Sequence, residues 1–122
     1  MRESAIQKQI EEYLTYQENV GRLVFQKNNS GAVKIRHAKG DSFVRFGKRG
    51  APDFLIWRTV PWPDAPGIIW GGRGRLDTLF VEVKNEKGKQ SEGQKEFQKR
   101  VEDLGGTYLI VHSLDELRSA LQ

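Results

Sequence analysis

The most constraining feature of the chain lies between Thr78 and His112: a strand, a capped helix and a second strand in immediate succession. Thr78 to Lys84 alternates with period two, putting Leu79, Val81 and Val83 on one side and Phe80, Glu82 and Lys84 on the other. Ser91-Glu92-Gly93-Gln94 has capping-box spacing, with a serine oxygen and a glutamine amide able to satisfy each other's backbone N–H groups. Phe97, Val101 and Leu104 then line one helical face, and Gly105-Gly106 ends it. Tyr108 to His112 reads as a buried strand. Two strands joined through a helix are expected to pair in parallel, because a crossover of that length returns the chain to the same sheet edge.

The rest of the chain asks for antiparallel pairing. Ile6, Ile10, Tyr13 and Leu14 mark an opening helix to about Glu18, stopped by Asn19-Val20-Gly21. Leu23 to Gln26 reads as a strand. Val33 to His37 and Phe43 to Phe46 read as a hairpin with Lys34 and Arg36 on one face. Gly47 to Pro52 is a loop, from which Asp53 to Trp57 leaves as a strand. Thr59 to Arg75 holds three prolines and four glycines and is expected as a surface excursion. Ser113 caps a last helix carrying Leu114, Leu117 and Leu121. The consistent architecture is α/β: a mixed central β-sheet flanked by helices, in one domain over residues 1–122.

Composition removes several chemistries. With no cysteine, disulfides, thiolate metal sites and cysteine nucleophiles are excluded, and a reducing cytoplasm is the natural expectation. Two histidines, His37 and His112, cannot build a three-histidine zinc site; they read as a hairpin residue and a strand end. Apolar runs stop at three or four residues, far short of the roughly 20 that a membrane helix needs, and no signal peptide opens the chain.

Charge is unevenly spread. The chain carries net +4, yet residues 20–58 alone hold nine basic residues against two acidic ones, leaving the remainder net acidic. A concentrated basic segment suits an anionic partner such as a nucleic acid, and equally a solvated basic face. Trp62 and Trp70 in the excursion could stack on bases but read as local packing, and Arg73 and Arg75 as exposed surface.

The chemistry-bearing residues are carboxylates. Glu82 and Lys84 share one face of a strand expected to be central, and Asp53 begins another strand directly after Pro52, whose ring fixes the approach. If those strands are neighbours, Asp53 and Glu82 converge. Two carboxylates and a backbone carbonyl make a hard oxygen site suited to Mg²⁺ or Mn²⁺. A lysine beside them can orient a metal-bound water, which together suits hydrolysis of a phosphodiester.

The Pro52-Asp53 … Glu82-Val83-Lys84 pattern, with its carboxylates 29 residues apart, resembles the core motif of the PD-(D/E)xK nuclease superfamily. Glu3 on the first helix, Gly50-Ala51-Pro52-Asp53, Ser91 and Gln94 opening a helix, Gly106, and Ser113 with Glu116 are similar to the VRR-NUC branch, the virus-type replication–repair nucleases. The resemblance runs from Glu3 to Leu121. It implies a restriction-endonuclease-like core, with Asp53, Glu82 and the Val83 carbonyl as metal ligands and Lys84 positioning the attacking water. Glu3 would reach the metal directly or through water, and Gln94 would support the site. Ser4 to Gln7 could also form a capping box that leaves Glu3 just outside the helix.

The expected function is a Mg²⁺- or Mn²⁺-dependent endonuclease on DNA. Small stand-alone members of the family resemble junction-resolving enzymes. A homodimer acting on four-way (Holliday) or other branched DNA is therefore expected, in the cytoplasm of a bacterium or a phage-infected cell, with no membrane partner. Lys34, Arg36, Arg45, Lys48 and Arg49 are the expected DNA-binding residues. Two alternatives stand beside this reading: a non-catalytic nucleic-acid-binding module on the same fold, and a sequence-specific restriction-type enzyme.

Overall fold

A computed structural model describes residues 1–28, 32–45, 48–61 and 74–122, with backbone only at 32–34 and 43–45. Helix α1 spans Glu3–Asn19, strand β1 Val24–Lys27, β2 Ala32–His37, β3 Gly40–Arg45, β4 Phe54–Val60 and β5 Arg75–Val83. Helix α2 follows at Glu92–Asp103, then β6 at Thr107–Val111 and α3 at Leu114–Leu121.

The central sheet has the order β1-β4-β5-β6. β4 pairs antiparallel with both β1 and β5, while β5 and β6 pair in parallel across the α2 crossover. The sheet is therefore mixed, as hairpins plus one crossover require. β2 and β3 form a separate antiparallel hairpin.

Period two sorts the strands into faces. Phe54 and Ile56 of β4, Leu79, Val81 and Val83 of β5, and Val111 of β6 are buried together with Ile6, Ile10 and Leu14 of α1 and Leu117 of α3. The α1 positions recur at four-residue steps, so α1 presents one continuous apolar stripe. Ile10 and Leu14 are fully inaccessible, and truncating either to alanine should cost about 2–5 kcal/mol. On the opposite face Phe80 meets Phe97 of α2, ring centroids 6.2 Å apart. The two helical layers thus sandwich the sheet.

Helix ends follow the local signals. Ser91 Oγ accepts the Gln94 N–H while Gln94 Oε1 accepts the Ser91 N–H, completing the capping box of α2. Gly105 takes φ +86° after α2, and the Gly106 N–H returns to the Val101 carbonyl at 2.9 Å, closing a Schellman turn. Ser113 Oγ caps α3 through the Glu116 N–H. α1 departs from the Ser4 capping box: Arg2 is its N-cap, no side chain caps it, and Glu3 is its first residue.

The excursion is shorter than its proline and glycine content suggests. Thr59 and Val60 still pair, with Leu76 and Arg75, so β4 and β5 extend as a two-stranded ribbon into both ends of it. Trp62, Trp70 and Arg73 lie outside the described residues. Among the described residues no helix is long and apolar enough to cross a membrane.

Candidate functional site

β4 and β5 are hydrogen-bonded neighbours, and their register pairs Phe54 with Val81. One step further along that register, Asp53 stands opposite Glu82 at the end of the sheet. The antiparallel ladder stops there because Pro52 carries no N–H. The Val83 N–H is met by the Asp53 side chain instead of a backbone carbonyl: Oδ2 accepts it at 2.7 Å. Its Oδ1 accepts from Gln7 Nε2 at 3.2 Å, tying the strand to the first turns of α1. Asn28 Nδ2 holds the Pro52 carbonyl at 2.9 Å, so the residue before Asp53 is anchored as well.

The loop ahead of Asp53 is wedged against α2. Gly50 adopts φ +77°, and a Cβ there would run into the Gly93 carbonyl and come within 2.9 Å of the Gln94 nitrogen. Arg49 crosses the same helix start, its Cγ and Nε each 3.2 Å from where a Gly93 Cβ would lie. The Gly-Ala-Pro-Asp segment is thus seated on the N-terminus of the crossover helix.

Glu82 is fully buried on the α2 face, a rare place for a carboxylate. Tyr108 donates its hydroxyl to Glu82 Oε1 at 2.6 Å, and Gln90 Nε2 reaches the same oxygen at 3.4 Å. Gln90 is steadied in turn by Gln98 Oε1 at 2.9 Å. Among the described residues, Glu82 Oε2 is buried and has no hydrogen-bond partner.

Electrostatics mark the cluster as acidic. Burial raises the Asp53 carboxyl above its ordinary value, and the charges of Glu82 and Glu3 push the same way; the Val83 N–H and Lys84 pull against them. The Tyr108 phenol is likewise raised, first by burial, then by its hydrogen bond to Glu82 and the charges of Glu82 and Asp53. It therefore stays protonated and acts as the donor.

Glu3 and Lys84 flank the turn after β5. A Cβ on Gly88 would lie 2.9 Å from Glu3 Oε2, 3.1 Å from Asn85 Oδ1 and 3.3 Å from Lys84 Cδ. The first residue of α1 thus reaches the loop that leaves β5. Lys84 follows Val83, the last residue of β5, and its own N–H still donates to the Val111 carbonyl at 3.0 Å.

Asp53, Glu82, Val83, Lys84 and Glu3 thus share one end of the sheet. Gln94 sits beside it with its side chain committed to the Ser91 N–H, so any support it gives the site passes through the helix cap. Arg49 adjoins the site across α2, and Lys48 is exposed in the same loop. Arg36 is exposed on the separate hairpin, opposite Asp41. The Lys34 and Arg45 side chains lie outside the described residues.

Sequence reasoning did not single out Tyr108, Gln90, Gln98 or Gln7. A tyrosine in a buried strand needs a partner for its hydroxyl, which was the available signal for Tyr108. Gln7 lies one helical turn after Glu3, on the same face.

Among the described residues no three carboxylate or imidazole side chains converge closely enough to hold a metal by themselves. The two facing carboxylates do fit one. Glu82 Oε2 is an orphaned buried oxygen among the described residues, and Asp53 is destabilised as an anion first by burial and then by its acidic neighbours, so a cation would satisfy the first and relieve the second. Strand alternation turns the Val83 carbonyl to the same side as its N–H, toward Asp53. His37 and His112 stand apart from this chemistry: His37 Nε2 meets Ser42 Oγ at 2.7 Å, and His112 pairs with Glu116 at the start of α3.

No protein-family model matches the chain, and no curated protein or solved structure is significantly similar to it.

Proposed function

We propose that the chain is a divalent-metal-dependent endonuclease with a PD-(D/E)xK core of the VRR-NUC type, hydrolysing DNA phosphodiesters. One observation carries the reading. Asp53 and Glu82 face each other at the end of adjacent strands, and Glu82 keeps a buried oxygen with no hydrogen-bond partner among the described residues. A buried carboxylate oxygen left in that state costs stability unless a ligand meets it.

Asp53, Glu82 and the Val83 carbonyl would hold Mg²⁺ or Mn²⁺, with Glu3 acting through water. The ion would supply Lewis-acid polarisation of a phosphoryl oxygen and a more acidic water. Lys84, two residues after Glu82, would orient the attacking water and balance charge that grows on the phosphate. Arg49 and Lys48, on the loop that delivers Asp53, would hold the neighbouring backbone phosphates. Branched DNA is the substrate class this reading favours. A symmetric junction needs the two cuts that a homodimer supplies.

A second reading has its own observation. Both carboxylates also make internal hydrogen bonds, to the Val83 N–H and the Tyr108 hydroxyl, as purely structural groups would. On that reading the chain is a nucleic-acid-binding module.

Single-turnover cleavage of a four-way junction and a plain duplex, in Mg²⁺ and in Mn²⁺, separates the two. Junction cleavage that disappears in Asp53→Asn supports the nuclease. Binding without cleavage of any substrate by the wild-type protein gives the function to the module.

A further inference from the structure

We infer that Tyr108 is a positioning residue that restricts Glu82 to a single ligating oxygen and thereby favours Mg²⁺ or Mn²⁺ over Ca²⁺. The inference rests on the cation site proposed above and deepens it.

The argument starts from the asymmetry of one carboxylate. Both protein donors near Glu82, the Tyr108 hydroxyl at 2.6 Å and Gln90 Nε2 at 3.4 Å, gather on Oε1. Oε2 receives none. A separation of 2.6 Å is that of a charge-assisted O–H···O⁻ bond, roughly twice as strong as a neutral one.

The donor is also rigid. Tyr108 is 7% exposed and sits on β6 in register with Phe80, one diagonal step from Glu82. A buried tyrosine has two side-chain torsions, both constrained by packing, so its oxygen is a fixed point. The Gln98–Gln90 bond braces the second donor. The carboxylate therefore cannot rotate about its own axis without breaking the Tyr108 bond inside a buried pocket, where no water replaces it.

The consequence is chemical selectivity. Ca²⁺ takes six to eight oxygens at about 2.3–2.6 Å and commonly uses both oxygens of one carboxylate. Mg²⁺ demands near-octahedral coordination at about 2.0–2.1 Å, with one oxygen per carboxylate and waters for the remainder. A glutamate with Oε1 tied down offers the second kind of site and resists the first. Removing the tie frees the carboxylate to turn and chelate.

The test measures metal affinity on the full chain, without DNA. Mn²⁺ binding is read by electron paramagnetic resonance and Ca²⁺ binding by calorimetry, for wild type, Tyr108→Phe and Glu82→Gln. Thermal melting verifies folding. Tyr108→Phe keeps the ring and should lower Mn²⁺ affinity on the order of tenfold, the scale of losing a partner behind a metal ligand. Its Ca²⁺ affinity should hold or rise, so the Mn²⁺/Ca²⁺ preference falls. Gln90→Leu should move the preference the same way by less, and it decides the matter if Tyr108→Phe does not fold. Wild-type binding with an unchanged preference in the folded variants overturns the role of Tyr108 and leaves the cation site standing. No Mn²⁺ binding by wild type overturns the cation site and this inference together.

Discussion

Asp53 Oδ2 takes the Val83 N–H at 2.7 Å, in the place where the β4–β5 ladder would otherwise find a backbone acceptor. The residue offered as a metal ligand is therefore also the last rung of the sheet. Its two tasks can be separated by the choice of substitution.

Asp53→Asn keeps an oxygen for the Val83 N–H and should fold, whereas Asp53→Ala leaves that N–H unpaired and should cost about 1–3 kcal/mol. Chemical denaturation of both variants measures the difference. Both should lose cleavage. Equal stability of the two would mean that the Asp53–Val83 bond does not hold the strand end.

Acidity supplies an independent test in metal-free protein. The folded Asp53 carboxyl lies above the ordinary value of 3.8 because burial and neighbouring negative charge disfavour its ionised form. Between that value and the folded one, the native state binds more protons than the unfolded state. Its favourable contribution is thus complete below 3.8 and is lost as pH rises through the folded value. Melting in chelator should show wild type losing ground to Asp53→Asn as pH rises across that window. Saturating Mg²⁺ above the window should reverse the order. Parallel melting curves across the range would contradict the raised carboxyl.

Lys84 separates chemistry from binding. Its stem lies beside Gly88 and Glu3, and its charge steadies the ionised Asp53. Lys84→Ala should fold, lose modest DNA affinity, and slow single-turnover cleavage on the order of a hundredfold or more. Lys84→Arg should rescue it only in part, since a guanidinium is planar and longer. Cleavage by Lys84→Ala at the wild-type rate would reduce Lys84 to a structural neighbour.

Gln94 makes the opposite prediction. Its amide oxygen is spent on the Ser91 N–H. Gln94→Ala and Ser91→Ala should therefore weaken the protein similarly, by about 0.5–2 kcal/mol each. Their cleavage rates at low temperature should fall equally little. A rate loss confined to Gln94→Ala would assign its side chain to the substrate instead.

Phosphate contacts are read by salt. Neutralising Lys48 and Arg49 together should reduce the slope of log affinity against log salt by about 0.9 per lost contact on duplex DNA. An unchanged slope would locate the DNA elsewhere.

Much of the fold was legible because its signals are local. The Ser91 and Ser113 caps, the Gly105-Gly106 stop and the alternation of β5 each need only a few adjacent residues. The pairing of β4 with β5 was only a condition for Asp53 and Glu82 to converge, and the register meets it. What stayed hidden depends on contacts far apart in the chain. Tyr108 and Glu82 are 26 residues apart, and nothing near either names the other. The ribbon at Thr59–Val60 and Arg75–Leu76 was hidden for the reverse reason: prolines and glycines between them mask two pairing ends.

Gly50 is the least chemical residue of the Gly-Ala-Pro-Asp segment, yet the geometry of Asp53 depends on it. Without a side chain it lets the loop touch the backbone of α2 at Gly93, itself a glycine crossed by Arg49. Two bare backbones in contact form a joint with no side chain to flex, and β4 and the crossover helix are pinned there at a fixed separation. A single methyl at residue 50 would act as a shim: it would prise the two apart and carry the aspartate with it, disabling a site that it never touches.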